Sequence, residues 1–142
     1  MRRNATLRHA QLKGVWRIRV SKLPRPHGGG SLQPLLLEGA ALAEERRKAQ
    51  TLVRVPVSSR ERGDLLMLGI GGFTPLAGFM GCADWRSVCR DMSLASGVFW
   101  PIPITLSTDS YIADQIREGS EVALVDSASS ECLATLQVTE KL

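Results

Sequence analysis

An α+β domain is what this sequence predicts, on three observations. Short apolar runs with β-branched residues or period-two alternation stand at Val53–Val57, Glu121–Asp126 and Cys132–Val138, and each reads as a strand. Between and before them lie stretches of helix-forming composition, none long: Ala40–Gln50, Ser58–Leu68, Trp85–Met92 and about residues 109–116. Third, Pro101 and Pro103 punctuate the apolar run from Val98 to Leu106, and two prolines confine such a run to an edge or an irregular strand. At 142 residues the chain is one domain's worth. That length buries roughly two thirds of the surface of the unfolded chain, enough for a core. No run approaches the ~18 consecutive apolar residues of a membrane span.

Charge divides the chain in two. Residues 1–25 carry eight Arg or Lys and no acid, whereas residues 26–142 hold ten bases against fourteen acids, a net of −4. The overall +4 therefore belongs to a basic arm, residues 1–25, expected to be poorly ordered, and the folded part, residues 26–142, is mildly acidic. The arm has the composition of an organellar targeting segment or a loose polyanion binder, or it is an extension without function. Val15 and Trp16 suggest that part of it lies on the fold. A basic face for nucleic acid is not supported in the folded part. Cys82, Cys89 and Cys132 are odd in number and lack metal-ligand spacing, which predicts free, mostly buried thiols in a reducing cytoplasm. The two histidines, His9 in the arm and His27 in the entry to the folded part, argue against a histidine metal site or a catalytic triad.

In chain order, Pro26-His27-Gly28-Gly29-Gly30-Ser31 is a flexible entry, and Gln33–Leu37 is an apolar run that can start a strand. The helix over Ala40–Gln50 places Glu44 and Lys48 at i, i+4 on a solvated face. Ser58 and Glu61 fit a capping box that starts the next helix. Arg60, Glu61, Arg62 and Asp64 suggest acid/base chemistry, but without a histidine or a metal motif they read as interface or surface salt bridges. Asp84 is a candidate N-cap, and Trp85, Val88, Cys89 and Met92 fall on one helical face as a core stripe. Arg86 and Arg90 lie opposite, in solvent. Gly97 ends this unit, and Ile104-Thr105-Leu106 continues the proline-marked run as a strand. Thr108 or Asp109 caps a short helix that Gly119 closes. Ser127–Ser130 turns the last two strands into an antiparallel hairpin.

The stretch Leu65–Met80, LLMLGIGGFTPLAGFM, organises the rest. A helical run breaks at Gly69, Gly71 and Gly72, and Phe73, Pro75, Leu76, Phe79 and Met80 then crowd around Gly78. Glycine permits positive φ and close backbone approach, and Pro75 fixes φ. So many large apolar side chains on a glycine-rich turn predict a buried structural corner. A phosphate cradle is the alternative, but the Gly-Lys-Ser/Thr ending and the dinucleotide-binding spacing are both missing.

Read with Trp85, Val88, Met92-Ser93-Leu94 and Phe99-Trp100-Pro101-Ile102-Pro103-Ile104, the segment Glu61–Met80 closely resembles the N-terminal domain of the ATP sulfurylase (sulfate adenylyltransferase) family. The shared blocks are an acidic helix, a G-G-F-[ST]-P-L-x-G-F-M turn and W-P-I-P-I, and a P-H-G-G run opens the domain at Pro26. The resemblance runs from there to Leu142 and leaves the basic arm without a counterpart. Ser127-Ala128-Ser129-Ser130 departs from a turn that often carries Gly or Asp.

The resemblance implies a PUA-like fold, a compact and partly open β-barrel with short flanking helices, packed against a larger catalytic domain. The family joins ATP and sulfate into adenosine 5′-phosphosulfate and pyrophosphate with magnesium. Its Q-x-R-N-P-x-H, H-x-x-H and G-R-D motifs are all absent from this sequence. No catalytic, cofactor-binding or metal-binding residue is therefore expected here, and ATP and magnesium are expected only with the catalytic domain. The expected partner is that domain or a second copy, with neither membrane nor nucleic acid. A docking role predicts an exposed apolar patch that includes Phe73 and Trp100. The structural corner or docking surface is assigned to Gly71, Gly72, Phe73, Pro75, Leu76, Phe79, Trp100, Pro101 and Pro103. A stand-alone PUA-like module that binds RNA or protein is the alternative, and a scaffold without chemistry is a third reading.

Overall fold

A computed structural model describes residues 25–141. The basic arm, with His9, Val15 and Trp16, lies outside the described residues apart from Arg25.

Helix α1 (Gly39–Ala49) precedes strand β1 (Val53–Val57), and α2 (Ser59–Gly69), α3 (Cys82–Asp91) and α4 (Ser110–Gln115) follow before β2 (Glu121–Asp126) and β3 (Cys132–Gln137). The strands make an open mixed sheet in the order β1-β2-β3, with β1 parallel to β2 and β3 antiparallel to it. Where a partly open barrel is expected, the described strands thus form an open three-stranded sheet. Pro56 sits in β1, an edge strand, where a missing N–H costs no ladder bond on the open side. β2 is the central strand, and Val122 to Asp126 are all buried. The predicted hairpin forms, with a register shift between Leu124 and Val125. Asp126 organises its turn by accepting from the amides of Ala128 and Ser129 at 2.9 and 2.8 Å.

Two apolar clusters hold the domain. Val55, Val57, Ile116, Val122 and Leu124 pack beneath the sheet, with Ala134, Leu136 and Val138 of the period-two segment against them. Leu68, Leu76, Val88, Leu94, Trp100 and Ile104 pack beneath the glycine corner. Phe79 touches both clusters and joins them.

Several elements differ from the sequence reading. Gln33–Leu37 is not a strand: it is exposed and lies across the glycine corner, where no neighbouring strand offers a ladder. Ile104–Leu106 is not a strand either. The two prolines leave the run one isolated bridge, between Ser93 and Phe99, although the Ile104 carbonyl still accepts from Met80 N at 2.8 Å. Asp84 does not cap α3. It lies one turn inside and accepts from Ala95 N, while the Glu140 carboxylate reaches back across the sequence to accept from Cys82 N at the helix start. Of the predicted α3 stripe only Val88 is buried, because α3 ends at Met92 in left-handed conformation and Trp85, Cys89 and Met92 face outward. The thiols are free but not buried, since Cys89 and Cys132 are exposed and Cys82 is half-buried. Lys48 pairs with Glu45 and Glu121, at 2.6 and 2.8 Å, and not with Glu44.

Candidate functional site

The glycine corner is only part-buried: Gly71, Thr74 and Leu76 are buried, Phe73, Pro75, Phe79 and Met80 are half-buried, and Gly72 and Ala77 are exposed. α2 starts at the predicted capping box, in which Ser58 and Glu61 exchange hydrogen bonds, and its last turn runs into Gly71 at φ +77°. Gly71 is buried, and a Cβ there would stand 3.1 Å from backbone atoms of Gln33 and Pro34. A Cβ on Gly69 would meet the Leu36 side chain at 3.2 Å. Both glycines therefore let the 32–36 segment lie directly on the corner. Two hydrogen bonds fix it there, Leu35 N to Gly69 O at 2.9 Å and Gln33 N to Thr74 Oγ1 at 3.1 Å. Gly71→Ala is expected to cost about 2 kcal/mol, from the left-handed backbone and the displaced segment together. A urea titration checks this, and an unchanged midpoint would mean that the segment is not seated as described.

Phe73, Leu76, Phe79 and Trp100 come together in one cluster. Apart from its chain neighbours no atom lies within 4 Å of a would-be Cβ on Gly78, and of these four side chains Leu76 and Trp100 are the buried ones. Phe73 meets the Trp100 ring edge-on at 5.8 Å between centroids. Trp100 is 8% exposed, so it belongs to the core and not to the exposed patch. Pro101 lines a shallow depression of about 420 Å³ with Gly72, Phe73 and Trp100, while Pro103 is exposed and stands outside it. His27 borders the same depression, with its Nε2 at 2.5 Å from the Phe99 carbonyl. Phe99 and Ile102, at 57% and 54% exposed, are the outward side chains of this run.

The larger apolar surface lies elsewhere. A groove of about 800 Å³ runs between the 35–37 segment, α1, α2 and β3. Leu35, Leu36, Leu37, Leu66 and Leu133 line it and are all exposed, Leu36 and Leu66 by more than three fifths. Arg46 and Arg62 stand at the same groove. Arg62 pairs with Asp126 at 3.0 Å, and Arg46 has no ion pair among the described residues. Glu45, the acid on the lining, is already bonded to Lys48 and Thr135, which hold its carboxyl below the usual range. The groove thus presents methyl groups beside cationic side chains, the chemistry of a docking surface. The sequence signal for it is the Leu35-Leu36-Leu37 triplet, whose composition is also that of a strand.

The acidic helix carries salt bridges, as expected: Arg60 with Asp64 at 2.8 Å and Arg62 with Asp126. Glu61 forms the predicted capping box, but it is buried and bound to Ser107 and is not a surface charge. It is 2% exposed, and its oxygens accept from the amides and hydroxyls of both Ser58 and Ser107. Burial would raise its pKa, but the Ser58 and Ser107 donors outweigh burial and hold it at about 2. Among the described residues no three His, Cys, Asp or Glu side chains stand close enough to share a metal ion. No described helix is long and apolar enough to cross a membrane.

Residues 24–142 match the family described as PUA-like domain. The sulfate adenylyltransferase of Syntrophobacter fumaroxidans is 61% identical over 123 residues, covering 86% of this chain and 30% of that protein. The sulfate adenylyltransferase of Thiobacillus denitrificans is 55% identical over 122 residues, covering again 86% of this chain and 30% of that protein. Among solved structures, a hexameric APS kinase from Thiobacillus denitrificans superposes with a TM-score of 0.69 at 35% identity, over 81% of this chain and 23% of that one. The chain therefore spans about 30% of the length of the curated relatives it matches, in their N-terminal region.

Proposed function

Since the chain belongs to the PUA-like domain family and is homologous to the N-terminal region of sulfate adenylyltransferases, we propose that it serves as the N-terminal domain of such an enzyme in a structural and docking role. The observation that carries this reading is the match itself, which spans 86% of the chain but 30% of the relative. The partly open barrel belongs to the same reading. Residues 98–107 pass from one cluster to the other, with Val98 packed against the corner cluster and Leu106 against the sheet cluster, and are the element that would continue it. Formation of adenosine 5′-phosphosulfate is then the work of the region that the relatives carry beyond this one.

The buried carboxylates among the described residues do not fit a magnesium–nucleotide site. The two buried carboxylates, Glu61 and Asp126, spend their oxygens on protein N–H and O–H donors and on Arg62. No catalytic step is assigned to them. The purified 142-residue chain is expected to release no pyrophosphate above blank with ATP, magnesium and sulfate. A chimera in which this chain replaces the matched segment of the Syntrophobacter fumaroxidans enzyme is expected to keep sulfate-dependent release within about tenfold of the parent, a barrier difference of about 1.4 kcal/mol. Turnover by the chain alone would make the acidic helix and glycine corner catalytic, and an inactive chimera would reject the domain assignment.

A further inference from the structure

We propose that the leucine groove is the seat of the sulfurylase region lying beyond the matched 30% of the relatives, and that it receives an apolar segment flanked by carboxylates. The inference rests on the function proposed above. Three features of the groove select this occupant. First, the apolar side chains are held open and do not collapse. Leu35 is tied by its amide to Gly69 O, and Leu36 lies over Gly69, where no Cβ pushes it away. A leucine segment already seated by a backbone hydrogen bond loses less conformational freedom on docking than a free one, which is what preorganisation contributes to affinity. Second, the charge at the groove is cationic. Its lining carries two arginines against one acid: Glu45 pairs with Lys48, which it shares with Glu121, whereas Arg46 has no ion pair among the described residues and Arg62 is more than half exposed beyond its contact with Asp126. An occupant with carboxylates beside its apolar face complements that edge. Third, the same charges disfavour a second copy, because a two-fold interface sets one patch against itself and brings like-charged rims together.

The test uses the full-length chimera described above. Leu36→Asp with Leu66→Asp places two charges in the groove at positions that are 62% and 63% exposed in this domain. The unsubstituted chimera is expected to unfold in one calorimetric transition. The double variant is expected to split that transition in two and to speed protease cleavage at the junction by about tenfold. Arg46→Glu is expected to act in the same direction by a smaller factor, about threefold in cleavage rate. Tyr111→Asp, on the 77% exposed side chain of α4, is expected to change neither reading. The 142-residue chain with the same double substitution is expected to unfold at an unchanged temperature. A single transition with unchanged cleavage in the double variant overturns the proposal. So does equal destabilisation of the isolated chain, which would make the leucines structural, or a groove-dependent dimer of that chain by sedimentation, which would make the occupant a second copy. Loss of sulfate-dependent release by the unsubstituted chimera is distinguishable from all of these, because it rejects the proposed function itself.

Discussion

Glu61→Ala is expected to lower the stability of this domain by about 3–5 kcal/mol, the range seen when a buried charged network loses a member. The carboxylate fastens two parts of the fold that are far apart in sequence. One oxygen accepts from Ser58 N at 2.8 Å and Ser58 Oγ at 2.6 Å, closing the capping box of α2. The other accepts from Ser107 N and Ser107 Oγ, both at 2.8 Å, and so ties the run after Ile104 to the start of that helix. Alanine leaves two amides and two hydroxyls without their part-buried acceptor, and each lost bond to a charged group is costly. Glutamine keeps the shape but turns one acceptor into a donor facing donors, so Glu61→Gln is expected to cost about 2 kcal/mol. Urea unfolding followed by far-UV circular dichroism separates the three proteins. If Glu61→Ala moved the midpoint no further than an exposed substitution such as Arg90→Ala, the network would not hold the fold.

The same carboxylate sets an acid limit. Its pKa in the folded state is held at about 2 against an ordinary 4.5, and that of Asp126 at about 2 against 3.8, the latter chiefly by the Ser129 and Ala128 amides. Folded-state values below the unfolded ones mean that the unfolded chain takes up protons first as pH falls. The stabilisation is fully present above about pH 5, is lost through the interval from about 4.5 down to about 2, and is gone below it. For Glu61 the shift corresponds to about 3 kcal/mol. The urea midpoint is expected to be flat from pH 7 to pH 5 and to fall steeply below pH 4, with a shallower fall in Glu61→Gln. A midpoint that rises on acidification would reverse the sign and reject the assignment.

The sequence makes some of this fold legible and hides the rest for physical reasons. Strands Val53–Val57 and Glu121–Asp126 are found at their residues, because a β-branched run with turn residues beside it has few other conformations. The Ser58–Glu61 box announces itself because its chemistry is local, three residues apart. Glu61 Oε1 to Ser107 and Glu140 to Cys82 are equally good hydrogen bonds, but they join residues 46 and 58 positions apart, which no window of sequence displays. The leucine triplet misleads for a related reason. Leu35-Leu36-Leu37 satisfies strand composition, yet a strand needs a neighbour's backbone, and the segment is seated instead on the glycines of a corner more than thirty residues away. The larger exposed apolar surface lies at the leucines and not at the buried Trp100 for the same reason, since exposure is decided by what the fold places on top.

Trp100→Ala is expected to cost about 3–5 kcal/mol, the loss of a large buried aromatic and the cavity it leaves. The indole shares the cluster under the corner with Leu76, Val88 and Ile104, and Phe73 meets it at 82° between ring planes. Its Nε1 is buried and has no hydrogen-bond partner among the described residues. A buried donor without an acceptor is destabilising, so removing it recovers part of what the smaller ring of phenylalanine loses in contact. Trp100→Phe is therefore expected to stay within about 1 kcal/mol of the unsubstituted protein. Equal losses for alanine and phenylalanine would mean that the indole N–H is satisfied in solution. If neither substitution changed the stability of the chain but either weakened the chimera's single unfolding transition, Trp100 would return to the docking surface, and the leucine groove would lose its claim to be the seat of the larger region.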